Sequence, residues 1–412
     1  MEPKSPEELV SQQHGRATTF DELWQRAQQE IKSQEYALAR ATLMDILDIC
    51  QDLPREKRAE VLALGGKIGY WLGDYKGAKD DCNAALQLNP RADDAHITLG
   101  KIATNEYFFS KAQGHFATVQ KPNSECELAL CRLHIRLRNP SKARQHLSSA
   151  AGNISASHPE FKLYAAYLNL LEGNTAAAQQ ALSTSKEISK NPEAAITLAE
   201  LMVTAGQYSA AQSLLNQLQT IIPANDQIYG LLAQCAFAQG EFQSAEQYAK
   251  RALIHNPMNL FAITVQMKAK TRQGEYDDAE ELGLRILQLA PEYPLAHANL
   301  GDVYFAQGKF DEARSEYKVT QQHTGADTKG SKLRRARMAY MLGNYDEARS
   351  GLEQLLNTSD LIYDDAIADL HLIYSMLGLD EERQKLQAKM ETRRAYSHRI
   401  GTILAQVTNT KA

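Results

Sequence analysis

An all-α superhelix of stacked antiparallel helix pairs is the fold this sequence predicts, and three observations predict it. Glycines that close apolar helical stretches recur at Gly173, Gly206, Gly240, Gly274, Gly308, Gly343 and Gly378, with gaps of 33, 34, 34, 34, 35 and 35 residues. Prolines form a second ladder, Pro159, Pro192, Pro223, Pro257 and Pro291, with gaps of 33, 31, 34 and 34. Upstream, Gly73 and Pro90 stand 17 residues apart, the same relation as Gly240 and Pro257. The length of 412 residues alone would suggest about two to four globular domains. Two interleaved ladders of one period replace that estimate with a single repeated unit.

The physical content of one period is a helical hairpin. Between Pro291 and Gly308, residues Leu295, Ala298, Leu300, Gly301, Val303, Tyr304 and Phe305 recur at helical spacing and predict helix A. Gly308 supplies the permissive backbone that ends it. Phe310, Ala313 and Tyr317 continue at three- and four-residue steps and predict helix B. Gly301 and Ala313 are small enough to let the two helices cross closely, with Tyr304, Phe310 and Tyr317 filling the space around them. One such hairpin cannot bury its apolar face alone, so it must stack on neighbours.

Taken in chain order, residues 1–18 carry prolines, polar groups and charges without apolar periodicity and are expected to be a flexible tail. Thr19 with Glu22 forms a capping box, so the first helix is expected to start there. Hairpin units then begin near residues 20, 59, 93, 124, 159, 192, 226, 260, 294, 329 and 364, spanning 19–379. The unit at 124 has Asn139-Pro140 where the glycine turn belongs, and the unit at 364 has Arg383 at a small-residue position. Residues 380–404 read as one long capping helix, with Leu386, Met390 and Ile400 on one side, and 405–412 as a frayed end.

At this point the residues carry a family resemblance. Asn299-Leu300-Gly301-Asp302-Val303-Tyr304 followed by Gly308-Lys309-Phe310-Asp311-Glu312-Ala313 resembles the tetratricopeptide repeat, a 34-residue unit with set small and large slots. Counting slot 1 from Pro294 puts Leu300 and Gly301 at slots 7 and 8, Tyr304 at 11, Gly308 at 15 and Ala313 at 20. The same register fits about eleven units, nearly the whole chain. The resemblance implies that helix A lines a concave groove through slots 2, 5, 9, 12 and 13.

Composition and motifs narrow the function. Lys and Arg number 45 against 50 Asp and Glu, a formal charge of −5, so the chain as a whole is not an electrostatic reader of nucleic acid. No run of about 18 uncharged apolar residues could span a membrane, and the first residues have no apolar leader region, so an intracellular, cytoplasmic protein is expected. Five cysteines without zinc spacing fit a reducing compartment. Gly65-Gly66-Lys67 lacks the rest of a phosphate loop, and no paired metal-ligand spacing occurs. His96 and His297 share one packing slot. Asp277-Asp278, Asp311-Glu312 and Asp364-Asp365 read as solvated acids at helix starts. Asn153-Ile154-Ser155 fits a glycosylation sequon and is expected to be idle. No enzyme activity, metal or cofactor is expected.

On the groove slots that the resemblance implies, Lys67, Lys101 and Arg132 are three successive cations at slot 9. Tyr70, Trp71, Asn105, Arg136 and Tyr167 extend the candidate partner-binding face. Cations beside large rings suit a protein segment with acidic and apolar anchors. Reversing Lys67 and Lys101 to Glu is accordingly expected to weaken partner binding and leave thermal stability nearly unchanged. The plainer alternative is a solvated row whose long stems cover apolar surface. A secondary basic patch, Lys332, Arg334, Arg335 and Arg337 after Lys329, is read as an exposed face balanced by Asp346, Glu347 and Glu353, or as an anion site. Arg335 falls at slot 7, where the family prefers a packed leucine.

The family's co-chaperone clamp for acidic chaperone tails would need set Lys, Asn and Arg residues at Ala63, Lys67, Thr98, Glu125 and Ala129, so that activity is not expected. The leading reading is a non-enzymatic scaffold or adaptor that holds a partner segment and helps assemble a multiprotein complex. An RNA-binding helical repeat and an enzyme with an unrecognised site are the alternatives. Nucleic acid is not the expected partner, and oligomeric state is left open.

Overall fold

A computed structural model describes residues 19–50, 52–137, 139–152, 159–172, 192–291, 293, 295–323, 328–357 and 361–410. The tail at 1–18, Gly173, the Asn153–Ser155 sequon and the unit start at 294 lie outside the described residues. Among the described residues, twenty-two α-helices and two short 3-10 turns account for the regular structure, with no strand.

The first hairpins are α1 (Phe20–Lys32) with α2 (Tyr36–Ile49), α3 (Arg55–Leu72) with α4 (Tyr75–Leu88), α5 (Asp93–Asn105) with α6 (Phe109–Thr118), and α7 (Ser124–Arg136) with α8 (Pro140–Ala151). Helix α9 (Pro159–Leu171) follows, then α10 (Pro192–Thr204) with α11 (Tyr208–Ile221), α12 (Asp226–Ala238) with α13 (Phe242–His255), and α14 (Leu260–Gln273) with α15 (Tyr276–Leu289). The later pairs are α16 (Ala296–Gln307) with α17 (Phe310–His323), α18 (Lys329–Met341) with α19 (Tyr345–Glu353), and α20 (Leu361–Met376) with α21 (Asp380–Arg393); α22 (His398–Thr410) ends the array.

Local chemistry sets the ends of these helices. The Thr19 side chain accepts from the Glu22 backbone and the Glu22 carboxylate accepts from the Thr19 backbone, a complete capping box on α1. Where the unit at 124 lacks its glycine, the Asn139 side chain caps α8 and Pro140 occupies its first turn, where a missing N–H costs nothing. The glycine ladder closes helix A in the left-handed region; at Gly308 φ is 79° and the backbone turns directly into α17. Gly301 has a different role. A Cβ there would lie 2.6 Å from the Tyr317 ring, so glycine is what allows α16 and α17 to cross at this distance. Ala313 and Tyr317 are buried beside it, whereas Phe310 is partly exposed and packs tilted against Phe305 and edge-on against Tyr340.

The superhelix is tight enough to touch itself across its concave side. Asn225 Nδ2 donates to the Trp71 carbonyl over 3.4 Å, Gln227 donates to the Tyr75 hydroxyl, and the Tyr107 and Tyr293 rings meet with centroids 4.6 Å apart. Ile97, Tyr107 and Phe109 of the third hairpin share one apolar cluster with Ile263, Met267 and Tyr293. The N-terminal hairpins are therefore packed onto repeats more than 150 residues downstream.

The C-terminus corrects the expectation of one long helix over 380–404 with a frayed end at 405–412. A 3-10 turn at Arg394–Tyr396 and an extended Ser397 separate α21 from α22, and α22 runs to Thr410. The Ser397 hydroxyl accepts from the Ile400 backbone and starts the new helix. The break lets α22 turn back, so that Ile400, Ile403 and Leu404 join the cluster formed by Leu370, Ile373 and Met390. Tyr396 and His398 reach the turns at Gly240 and Gly274.

Candidate functional site

The first three cations of the slot-9 row, Lys67, Lys101 and Arg132, are already partnered within the chain. Lys101, on α5, is 8% exposed and donates to Glu125 over 2.8 Å and to Glu193 over 2.9 Å. Lys67, on α3, donates to the other oxygen of Glu125 over 2.6 Å. Arg132, 6% exposed on α7, reaches Glu200 at 3.1 Å and Thr197 at 3.3 Å, and Arg136 reaches Glu200 at 2.6 Å and the Tyr107 hydroxyl at 2.9 Å. Tyr70, buried beside them, donates to Glu193 over 3.4 Å and accepts from Asn105, whose amide also reaches Tyr75. Trp71 packs edge-on to Tyr36, under the Lys67 ammonium. Tyr167 lies beside Thr204, which donates to its hydroxyl over 3.5 Å.

The structure thus brings these predicted residues into one neighbourhood and corrects their role there as a free cationic face. Glu193 and Glu200 come from α10, opposite the row, and Glu125 from α7, so the chain supplies its own acidic anchors. Burial opposes charge on Glu125, yet Lys101 and Lys67 pull its carboxyl down to about 2. Burial likewise opposes charge on Lys101, and Glu125 and Glu193 hold its ammonium well above the ordinary range. A buried pair of this kind is a structural feature whose rupture leaves an uncompensated charge.

The secondary patch is corrected in the same way. At Arg334 and Arg337 the acids are Asp302, Asp365 and Asp369 on neighbouring A helices rather than Asp346, Glu347 and Glu353. Arg334 contacts Asp302 at 2.5 Å; Arg337, 4% exposed, contacts Asp302 at 3.0 Å, Asp365 at 3.5 Å and Asp369 at 2.7 Å. Arg399 of α22 also binds Asp369, and Arg272 of α14 binds Asp365 at 2.6 Å. Arg335 is exposed at slot 7, while Lys332 is half-buried. Asp364 is not a solvated acid: it is fully buried and held by Arg393 at 2.6 and 2.9 Å.

One cation of the inner surface is left over. Lys268, half-buried on α14, has no hydrogen bond or ion pair among the described residues. Burial, Arg334 and Arg272 together push its ammonium down to about 8, against the pull of Asp302. Asn299 on α16 is 3% exposed; its Oδ1 lies 3.5 Å from Arg334, and its Nδ2 has no partner among the described residues.

Elsewhere the titratable groups serve the packing. Asp226 starts α12 and accepts from Asn256 and Asn259, both at 2.8 Å; burial raises its carboxyl to about 6. A carboxyl whose folded pKa is raised favours folding below its ordinary value near 4, and that contribution is lost as pH rises through about 6. Asp226→Asn is expected to remove this pH-dependent term, on the order of 3 kcal/mol at about 1.36 kcal/mol per pKa unit. Urea melts at pH 4, 5, 6 and 7 check it: the wild-type minus variant difference should become more unfavourable to wild type up to pH 6 and then level off. Cys82, Cys126, Cys131 and Cys235 are buried free thiols, each pushed up by burial, to about 12, 11, 12 and 11. Among the described residues no group of three His, Cys, Asp or Glu side chains could hold a metal ion, and no helix is long and apolar enough to cross a membrane.

The acids that neutralise the first row stand at readable positions. Glu125 and Glu193 occupy slot 2 of their units and Glu200 slot 9, all groove slots, so facing carboxylates could be found by reading slots 2 and 9 together. Lys268 also stands at slot 9, and Arg272 four residues on marks the same helix face. What the sequence does not display is which repeats face each other across the superhelix.

A family model described as tetratricopeptide repeat matches residues 169–235 and 270–336. Among solved structures, yeast Tom70 is similar at 13% identity, with 94% of this chain and 95% of that chain covered and a TM-score of 0.36. A thermophilic tetratricopeptide-repeat protein of Thermus thermophilus is similar at 22% identity, covering 45% of this chain and 99% of that one, with a TM-score of 0.40. A tetratricopeptide-repeat protein of Parabacteroides merdae is similar at 14% identity, covering 60% and 98%, with a TM-score of 0.39. No curated protein matches the chain in sequence.

Proposed function

The chain is a tetratricopeptide-repeat solenoid, and on that premise we propose that it is a non-enzymatic scaffold that holds a segment of a partner protein on its concave face and thereby helps assemble a multiprotein complex. The observation that carries this reading is the continuous inner row of A helices. It presents ordered polar and aromatic side chains, among them the half-buried Trp71 and Tyr167 in the earlier hairpins and Lys268 and Arg334 in the later ones, in the manner of an extended binding surface. Because Lys67, Lys101, Arg132 and Arg136 are engaged by the chain's own glutamates, they order the groove walls. An incoming segment then meets the half-exposed rings and the later repeats.

Affinity capture on the full chain followed by residue-resolved cross-linking tests this. The expected result is a reproducible protein partner whose cross-links fall on A helices, from α3 to α20. No reproducible partner, or cross-links confined to B helices, would contradict it.

A further inference from the structure

The last helix of the chain lies against A helices of the later repeats. After the turn at Arg394–Tyr396, the Tyr396 and His398 rings pack on the backbone at Gly240 and Gly274, where α12 and α14 end. Arg399 lies over the Phe305 ring of α16, 5.2 Å from its centroid, and donates to one oxygen of Asp369 on α20. The other Asp369 oxygen takes Arg337 over 2.7 Å. Ile400, Ile403 and Leu404 are buried in the cluster that holds Leu370 and Ile373 of α20. Phe305 and Asp369, the two groups that Arg399 touches, line one narrow cleft between α16, α18 and α20. Residues 396–404 thus reach from the turn after α12 to α20, whereas an end cap needs to cover only the last hairpin.

Side-chain contacts hold α22 there, because its own helical preference is weak. A helix of 13 residues is marginal in water by itself. Gly401 stands in its interior, and a Cβ at that position would meet nothing within 4 Å, so no close approach requires the glycine. Glycine inside a helix is disfavoured relative to alanine, since its backbone has more freedom to lose. Thr402, Ala405 and Gln406 leave the opposite side of α22 exposed. On the near side of the break, Arg393 binds the buried Asp364 at 2.6 and 2.9 Å and anchors α21 independently of α22.

We propose that α22 is a displaceable internal occupant of the surface formed by α14, α16 and α20, and that the partner which displaces it is an amphipathic helix carrying an arginine followed at one, four and five residues by aliphatic side chains. This rests on the reading of the concave face as the partner surface and names what that surface selects. The incoming arginine covers Phe305 and takes the Asp369 oxygen that Arg399 vacates, a charge-assisted bond in a half-buried site. The aliphatic side chains lie on one helical face and replace Ile400, Ile403 and Leu404. Release occurs at 394–397, where the helix is already broken, while Arg393 keeps α21 clasped to Asp364. A tethered segment competes at high effective concentration, so only a helix with better propensity or further contacts along the groove displaces it. Gly401 keeps that competition weak enough to lose.

The test uses the full chain and a fluorescein-labelled peptide of residues 396–410, read by fluorescence anisotropy. In the wild type the tethered α22 competes with the peptide. Arg399→Ala combined with Ile403→Ser removes that competitor, so this variant is expected to bind the peptide more tightly than the wild type by about tenfold or more. A peptide carrying Arg399→Glu should bind neither chain. Gly401→Ala strengthens α22 in place and keeps the test decisive if the double variant does not fold. It should slow amide exchange in α22 and weaken peptide binding, each by about fourfold, the factor that the glycine-to-alanine preference supplies. Equal peptide affinity of wild type and double variant, or α22 amides that exchange no faster than those of α20 in the wild type, would overturn the proposal and make α22 a fixed cap. A dimer that the peptide dissociates would assign the surface to α22 of a second copy and overturn the partner assignment. If the double variant captures the same cross-linked partner no better than the wild type, the inference fails and the scaffold reading stands. Capture by neither chain contradicts the scaffold reading itself.

Discussion

Lys101→Glu is expected to unfold the N-terminal hairpins rather than to weaken binding on an intact fold. The wild-type ammonium is buried and holds two carboxylates, Glu125 at 2.8 Å and Glu193 at 2.9 Å. Removing one member of such a buried pair costs about 3–5 kcal/mol, and reversal adds a third carboxylate to the two already there. A whole domain is stable by only about 5–15 kcal/mol, so this single change removes a large share. The effect should be seen as a lowered thermal midpoint and as new proteolytic cleavage within α5 and α7. Lys67→Ala is the contrasting variant. Lys67 is only half-buried, and its loss leaves Glu125 still bound to Lys101, so about 1 kcal/mol or less is expected. The sequence-based expectation that reversing both lysines leaves stability unchanged is therefore replaced by a residue-by-residue split.

Ala313→Arg is the second large effect. Ala313 has no exposed surface, at the crossing where Gly301 admits the Tyr317 ring. An arginine there must bury an unpaired charge or force α16 and α17 apart, a loss of several kcal/mol, on the order of other buried-charge and overpacking defects. Gly301→Trp acts at the same crossing from the other helix, since even a Cβ would stand 2.6 Å from the Tyr317 ring. The loss should appear first as faster amide exchange in α16 to α19, with α1 and α2, whose apolar cluster holds no residue of α16 or α17, unaffected. Uniform loss of protection along the chain would contradict that locality.

Much of the repeat architecture was legible because its signals are local. The glycines at 206, 240, 274, 308, 343 and 378 end their helices in the left-handed region as the ladder implies, and the Thr19 capping box is present. The packing of Gly301 against Tyr317 was legible too, because slots 8 and 24 of one unit meet within that unit. The site was less so. Lys101 and Glu193 are 92 residues apart, and their meeting depends on the pitch of the superhelix, a property summed over several crossing angles that no single unit displays. The C-terminal break at Ser397 was missed for a similar reason: the apolar residues around it keep helical spacing, and what bends the chain is the docking of Ile400, Ile403 and Leu404 onto α20 and its neighbours. Lys268 was visible in the slot-9 row, but its lack of a partner appears only once Asp302, Asp365 and Asp369 are assigned to the arginines.

The central claim is that the superhelix closes on itself and converts the N-terminal cationic row into part of the fold. A double-mutant cycle on Lys101→Met and Glu193→Gln, followed by urea unfolding, measures it directly, because these residues belong to units three hairpins apart. A coupling of about 1–3 kcal/mol is predicted for residues joined by a buried ion pair. Additive effects, with a coupling within about 0.3 kcal/mol of zero, would mean that the two helices do not meet and that the row faces an open groove.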